Sequence, residues 1–369
     1  MFRFSYSAAF LLFAFCISST PVMAQESSTT VGGYGELHYN EPEGAAKGRL
    51  DFHRFVVYLN HEFNDWIGFY SETEIEHTIA GEGYSGSYLS IEQAYIELRT
   101  WKLLGFRAGI LLAPVGYVNL IHEPPTFHGV ERPRYHSSTL PTTWREPGAG
   151  IFGHVTDNLN YQVYIMSNFS PEGLNGASGL RGGRQKGHFS STANMAVTGR
   201  LEYMPVLGLN LGASVYTGGL SGGDDALGDA GVTVLAGDVR YGIGNLALRA
   251  EAATISITDA DRINVAFDNA VADRIDGYYA EAAYNFLPHL VADTEQQLHV
   301  FGRYERNNTH AAVTGFEADP AYDRTDITVG LTYKPTANVA FKMDYQLFDD
   351  ARDADAKGQF NLGVGYVFF

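Results

Sequence analysis

The sequence predicts an all-β fold, a sixteen-stranded antiparallel transmembrane β-barrel with long external loops at one end and short periplasmic turns at the other. Three observations carry this expectation. Segments of about ten residues alternate apolar and polar with period two, as strands wetted on one face do. The connections between them are alternately long and polar, then tight. Downstream of the N-terminus no stretch approaches the roughly 18 apolar residues that a spanning helix needs.

Residues 1–24 have the makeup of a secretory signal peptide. Arg3 is the charged end, Ala8 to Ile17 is an apolar core, and Val22-Met23-Ala24 places a small residue before Gln25. Cleavage there removes Cys16, the only Cys in the 369 residues. The remaining barrel domain, residues 25–369, then has no thiol for a disulfide or a thiolate metal site. Such an exported chain is expected to hold together by backbone pairing and packing.

The alternation is plainest in residues 337–348, where Val339, Phe341, Met343, Tyr345 and Leu347 share one face and Lys342, Asp344 and Gln346 the other. Residues 297–306 set Leu298, Val300 and Tyr304 against His299, Arg303 and Glu305. The final run sets Phe360, Leu362, Val364, Tyr366 and Phe368 against Asn361, Gly363 and Gly365. The same pattern predicts strands near 32–40, 49–63, 66–77, 88–99, 104–113, 147–155, 158–167, 190–204, 208–217, 231–241, 244–257, 274–286 and 324–334. Ten residues at about 3.3 Å each, tilted by about 40°, span roughly 25 Å, the height of a hydrocarbon band. Closure removes the free edges that lipid does not tolerate.

The long connections fall at 41–48, 78–87, 114–146, 168–189, 218–230, 258–273, 307–323 and 349–357. The tight ones are Asn64-Asp65, Thr100 to Leu103, a turn near Asp157, Pro205 to Leu207, Gly242 to Gly244, and Pro335-Thr336, with 287–296 a longer exception. Tyr58, Phe69, Tyr95, Tyr164, Tyr203, Tyr241, Tyr284, Tyr333 and Phe368 lie near strand ends, where interfacial aromatic girdles belong. A net charge of −17 with only six Lys argues against nucleic acid as a partner.

Two stretches carry a family resemblance. The run Phe52-His53-Arg54-Phe55-Val56-Val57-Tyr58-Leu59-Asn60-His61-Glu62-Phe63-Asn64-Asp65-Trp66 resembles the opening hairpin of the phosphate-selective porin O/P family. The proline-rich stretch His122-Glu123-Pro124-Pro125-Thr126-Phe127-His128-Gly129-Val130-Glu131-Arg132-Pro133, continued by Pro141 to Gly148, is similar to one found in porin-like members of that group. The resemblance implies an outer-membrane channel of a Gram-negative-type bacterium, a homotrimer set in lipid and lipopolysaccharide. It implies passive diffusion of small hydrophilic solutes or ions, with no cofactor. Phosphate-selective members carry a lysine cluster along the pore; residues 114–146 here hold no Lys at all. Their charges are Glu123, Glu131 and Glu146 against Arg132, Arg134 and Arg145, so the phosphate label is not carried over.

A sixteen-stranded barrel encloses a lumen too wide for wall side chains to fill. The connection 114–146, the longest, carries five prolines that favour a stiff, extended path, and is expected to fold inward as the constriction. His122, Glu123, His128, Glu131, Arg132, Arg134, Arg145 and Glu146 are then the candidate selectivity residues. Arg54, Glu72, Glu74, Glu76, Arg249, Arg303 and Lys342 are expected on the lumen wall, with neighbours such as Arg200/Glu202 and Arg249/Glu251 pairing along a strand. No phosphate loop, HExxH or calcium-loop pattern occurs, and the twelve His are dispersed, so neither a catalytic nor a metal site is legible. The alternatives to a general porin are a solute-selective channel with an oxyanion site at Arg132, Arg134 and Arg145, and an outer-membrane barrel enzyme or receptor.

Overall fold

A computed structural model describes residues 27–44, 47–77 and 88–369. The expected signal peptide, 1–24, and the connection 78–87 lie outside these residues. Sixteen strands form a closed, wholly antiparallel barrel. In chain order they are β1 (Ser28–Pro42), β2 (Arg49–Asn64), β3 (Ile67–Glu76), β4 (Tyr88–Trp101), β5 (Leu104–Leu112), β6 (Arg145–Thr156), β7 (Leu159–Ser167) and β8 (Met195–Val206). They continue as β9 (Leu209–Gly219), β10 (Gly231–Ile243), β11 (Leu246–Thr258), β12 (Arg274–Asn285), β13 (Gln297–Ala312), β14 (Asp323–Thr336), β15 (Val339–Asp350) and β16 (Asp353–Phe368). Each strand pairs with its sequence neighbours, and β1 closes on β16 from Gly33 opposite Phe368 to Pro42 opposite Gln359.

The expected alternation is present. On β15, Phe341, Met343, Tyr345 and Leu347 are exposed on the outside while Lys342, Asp344 and Gln346 are buried inside. Exposed Leu, Val, Ile and Phe recur around the outer wall, a band that hydrocarbon solvates better than water. Six of the seven short connections are tight. At Asp65-Trp66 the Asn64 side chain accepts the Trp66 and Ile67 amides at 3.0 and 2.8 Å. Gly208, at φ +84°, turns where a Cβ would run into the Gly242 carbonyl. The seventh is longer, as anticipated, and carries a short 3₁₀ turn at Leu287–His289.

Several sequence-based expectations need correction. β6 begins at Arg145, so Arg145 and Glu146 are wall residues and the long connection is 113–144. Pairing of Leu112 with Arg145 and Leu111 with Glu146 carries the ladder two residues before Pro147, where the strand was expected to begin. Pro335 and Thr336 end β14, and the turn is Ala337-Asn338. β13 runs on to Ala312. Tyr58, Tyr95 and Tyr164 are not girdle residues: Tyr58 hydrogen-bonds Glu123, Tyr95 stacks on Tyr70, and Tyr164 is buried against Arg107.

The lumen has two unlike halves. Inward residues of β10 and β11 (Val232, Val234, Ile255 and Ile257) are apolar and buried beneath the connections 113–144 and 168–194. Trp144 lies at the centre of this packing, its ring 4.8 Å from Phe169 and 4.6 Å from Tyr216. The half formed by β1–β4 and β13–β16 is lined by charges, and the open space lies there.

Candidate functional site

Residues 113–144 cross the inside of the barrel rather than capping it. Their root is a clamp at Asn119. Its amide donates to the Ala113 and Trp144 carbonyls at 2.8 and 3.0 Å and accepts from the Trp144 N–H at 2.8 Å. Gly116 follows with φ +70°, beside Glu251, where a Cβ would collide with the carboxylate. Tyr279 then donates from its hydroxyl to that of Tyr117 at 2.7 Å.

Prolines and extended backbone leave this segment's carbonyls without local donors, and buried carbonyls need partners. The barrel wall provides them in sequence. Lys334 donates to Pro125, Arg249 to Thr126, Thr332 to His128 and Lys342 to Gly129, at 2.6–2.8 Å. Asp344 accepts the Val130 N–H at 2.6 Å, and Glu305 that of Tyr135 at 3.0 Å. Arg249 and Lys342, anticipated as pore-lining charges, therefore act as anchors of the loop. Arg303 is likewise engaged, 2.9 Å from Glu305 and 3.4 Å from Glu281.

The other titratable residues of 113–146 are each engaged differently. His122 is buried between Glu92 (3.3 Å) and Glu72 (3.7 Å). Burial opposes its charge, but the two carboxylates outweigh burial and push it up to about 10. His128 and His136 are pressed well below the ordinary histidine value, first by burial and then by cations such as Arg249 and Arg132 respectively, so both are neutral packing groups. Glu123 accepts from Tyr58 at 3.4 Å. Arg145 lies 3.6 Å from Glu92. Glu146 binds Ser167 and the Gln185 and Lys186 amides, which places it outside the constriction. Arg134 pairs with Asp326 at 3.2 Å.

Glu131 and Arg132 stand at the open space. A cavity of about 570 Å³ on the side of the long connections and an inner one of about 170 Å³ share Glu131, Arg132 and Ser137, which form the neck between them. Glu131 is held by His38 and Asn40, each at 3.0 Å. Burial disfavours its charge, yet the His38 contact prevails and holds it down to about 2. Arg132 donates to the His122 carbonyl at 3.0 Å, and Arg181, from the connection 168–194, to that of His136 at 3.4 Å. Among the described residues neither pairs with a carboxylate. Arg181 was not singled out from sequence; its only signal was charge in a long connection.

Arg54, Glu72, Glu74 and Glu76 share the inner face, as expected, with Arg54 2.7 Å from Glu36 and 3.3 Å from Glu74. Pairing along single strands gives way to pairing across them. Arg200 lies 2.6 Å from Asp238 and 3.9 Å from Glu202, while Arg249 faces Glu281 at 3.8 Å rather than Glu251. Arg249 and Glu281 are direct cross-strand partners, whereas Arg200 reaches Asp238 over Gly212 of the intervening β9, where a Cβ would collide with both.

No family model matches the sequence. Among solved structures, OmpF of Salmonella typhi in complex with daunomycin is similar over 92% of this chain and 97% of its own, with 15% identity and a TM-score of 0.62. The outer membrane channel DcaP of Acinetobacter baumannii is similar over 95% of this chain and all of its own, with 12% identity and a TM-score of 0.59. The fold is thus a porin-like sixteen-stranded barrel. An uncharacterized protein of Aquifex aeolicus is 33% identical over 364 residues, covering 95% of this chain and 82% of its own length. The chain belongs to the same protein family as that Aquifex aeolicus protein.

Proposed function

We propose that the protein is an outer-membrane porin of a Gram-negative-type bacterium. It conducts small hydrophilic solutes and ions passively, without a cofactor or a catalytic step. One observation carries the reading: inside a closed barrel with an apolar outer band, two cavities lined by charged side chains share residues of an inward-folded loop. Glu131 and Arg132, at that neck, are the selectivity residues on this reading. Discrete conductance steps from the folded chain in a planar bilayer, enlarged by deleting residues 120–140, are the expected result. A correctly folded chain that passes no current overturns it.

A second reading, a solute-selective channel, is favoured by Arg132 and Arg181. Both line the inner cavity and keep their charge free of carboxylates, the arrangement an oxyanion station requires. Arg134 and Arg145, expected to share that role, face Asp326 and Glu92 instead. Kinship with the phosphate-selective porins is supported by the sequence runs alone, and phosphate is the natural probe. Saturable block of chloride current by phosphate supports this reading; linear current at every phosphate concentration argues for the general porin.

On the resemblance, the barrel assembles as a homotrimer. Chemical crosslinking in detergent is expected to give a three-chain band. A monomer at all protein concentrations overturns this assembly.

A further inference from the structure

We propose that Asp51, His53 and His77 form a binding site for a divalent transition-metal ion at the loop-bearing mouth of the barrel. The site is independent of the channel reading. Strands β2 and β3 are paired up to Arg54 opposite Glu76, and the His77 N–H continues the ladder to the His53 carbonyl at 3.1 Å. The two histidines are therefore cross-strand neighbours. A register shift between β1 and β2, at Glu36/His38, brings Asp51 and His53 to the lumen side that Arg54 also faces.

The donor atoms converge. Asp51 Oδ2 lies 3.1 Å from His53 Nδ1 and 2.8 Å from His77 Nδ1, and all three donor atoms lie within 4.8 Å of one another. Zinc bonds of about 2.0–2.2 Å in a tetrahedron set ligand atoms roughly 3.4 Å apart, so the ion enters with an expansion of a few tenths of an ångström. His77 takes φ +53°, a left-handed conformation that histidine adopts more readily than most side chains, where its ring meets Asp51. The side chains are 20–38% exposed, so water can supply the fourth ligand.

The donor chemistry sets the class of ion. Two imidazoles and one carboxylate suit zinc, nickel or copper, whereas calcium and magnesium prefer oxygen donors alone. The surroundings tolerate added positive charge. His38 stacks on His53 at 4.7 Å and is itself held by Glu36 and Glu131, at 3.2 and 3.0 Å, and Arg54 is paired with Glu36 and Glu74. The buried set Glu72, Glu92 and His122 is a weaker candidate, because Arg145 sits against Glu92 and His122 already bridges the two acids.

The test is calorimetric titration of the folded full-length barrel in detergent with zinc chloride, then nickel chloride, at pH 7.5, where displaced imidazole protons do not compete strongly. One equivalent of zinc is expected per chain. His53→Ala and His77→Ala should each weaken binding by at least about tenfold, since even indirect support of a metal ligand is worth that much. The double variant should lose binding, while His122→Ala retains it and excess calcium does not displace the zinc. Far-UV circular dichroism verifies that each variant remains a barrel. Absence of zinc binding by the wild type, undiminished binding by the double variant, loss in His122→Ala, or displacement by calcium overturns the site. A chain that binds zinc at these residues but conducts nothing leaves the site standing and removes the channel.

Discussion

His38 Nδ1 lies 3.0 Å from Glu131 Oε1, joining strand β1 to the inward loop at a residue that lines both cavities. The contact links residues 93 positions apart and fixes the one acidic side chain at the neck between the two cavities. His38 is buried and Glu131 is about one third exposed, so the pair is shielded from water on one side only.

Removing either partner should alter conduction. In Glu131→Gln the neck loses its negative charge while Arg132 remains, and the reversal potential under a salt gradient should move toward anions. His38→Ala removes a partly buried hydrogen bond worth about 1–3 kcal/mol and should make the open current noisier without reversing its preference. Identical reversal potentials in wild type and Glu131→Gln place the selectivity elsewhere.

The two loop arginines should differ. Among the described residues Arg132, at the neck, pairs with no carboxylate, whereas Arg134 is neutralised by Asp326. Arg132→Ala should change the anion-to-cation permeability ratio by about twofold toward cations, the effect of roughly 0.4 kcal/mol of screened charge. Arg134→Ala frees Asp326 and should shift the ratio in the same direction, with a loss of stability that Arg132→Ala does not show. Equal stabilities for the two variants contradict the pairing.

The His122 anchor has a defined pH window. A histidine raised from its ordinary value to about 10 stabilises the folded state fully below about pH 6.5. That contribution is lost as the pH rises through about 10, leaving Glu72 and Glu92 facing each other with Arg132 nearby. Single-channel conductance should be steady from about pH 7 to 9 and rise above about pH 10. His122→Phe should show no such step.

Trp144 should matter more for stability than for selectivity. It is fully buried between Phe169 and Tyr216 and lines neither cavity. Trp144→Ala should cost about 3–5 kcal/mol of folded-state stability, measured by urea unfolding in detergent. Asn119→Ala, which opens the clamp at the root of the same loop, should destabilise less but raise conductance.

The barrel was legible because each strand repeats one local rule. Alternation on β15 and β16 follows from lipid on one side and water on the other, and the long–short rhythm of connections follows from antiparallel neighbours. Even at β10 and β11, where Val232, Val234, Ile255 and Ile257 face inward beneath loops, the expected strands 231–241 and 244–257 fall within two residues of the observed bounds. The inward fold of the longest connection was likewise foreseeable from its prolines. Its boundary was not, because the ladder with β5 carries β6 back to Arg145.

Local chemistry thus specified the architecture: strand number, closure, the wet and dry faces, and which charges point inward. Tertiary structure alone decided which of those charges stay free. Arg249, Arg303 and Lys342 are consumed by loop carbonyls and carboxylates distant in sequence, while Arg132 is left at the neck with Arg181. The same holds for Asp51, His53 and His77, whose spacing matches no metal motif. They meet because a bulge and a cross-strand pair bring them together, and register between strands is set by the whole closed sheet rather than by any short run of residues.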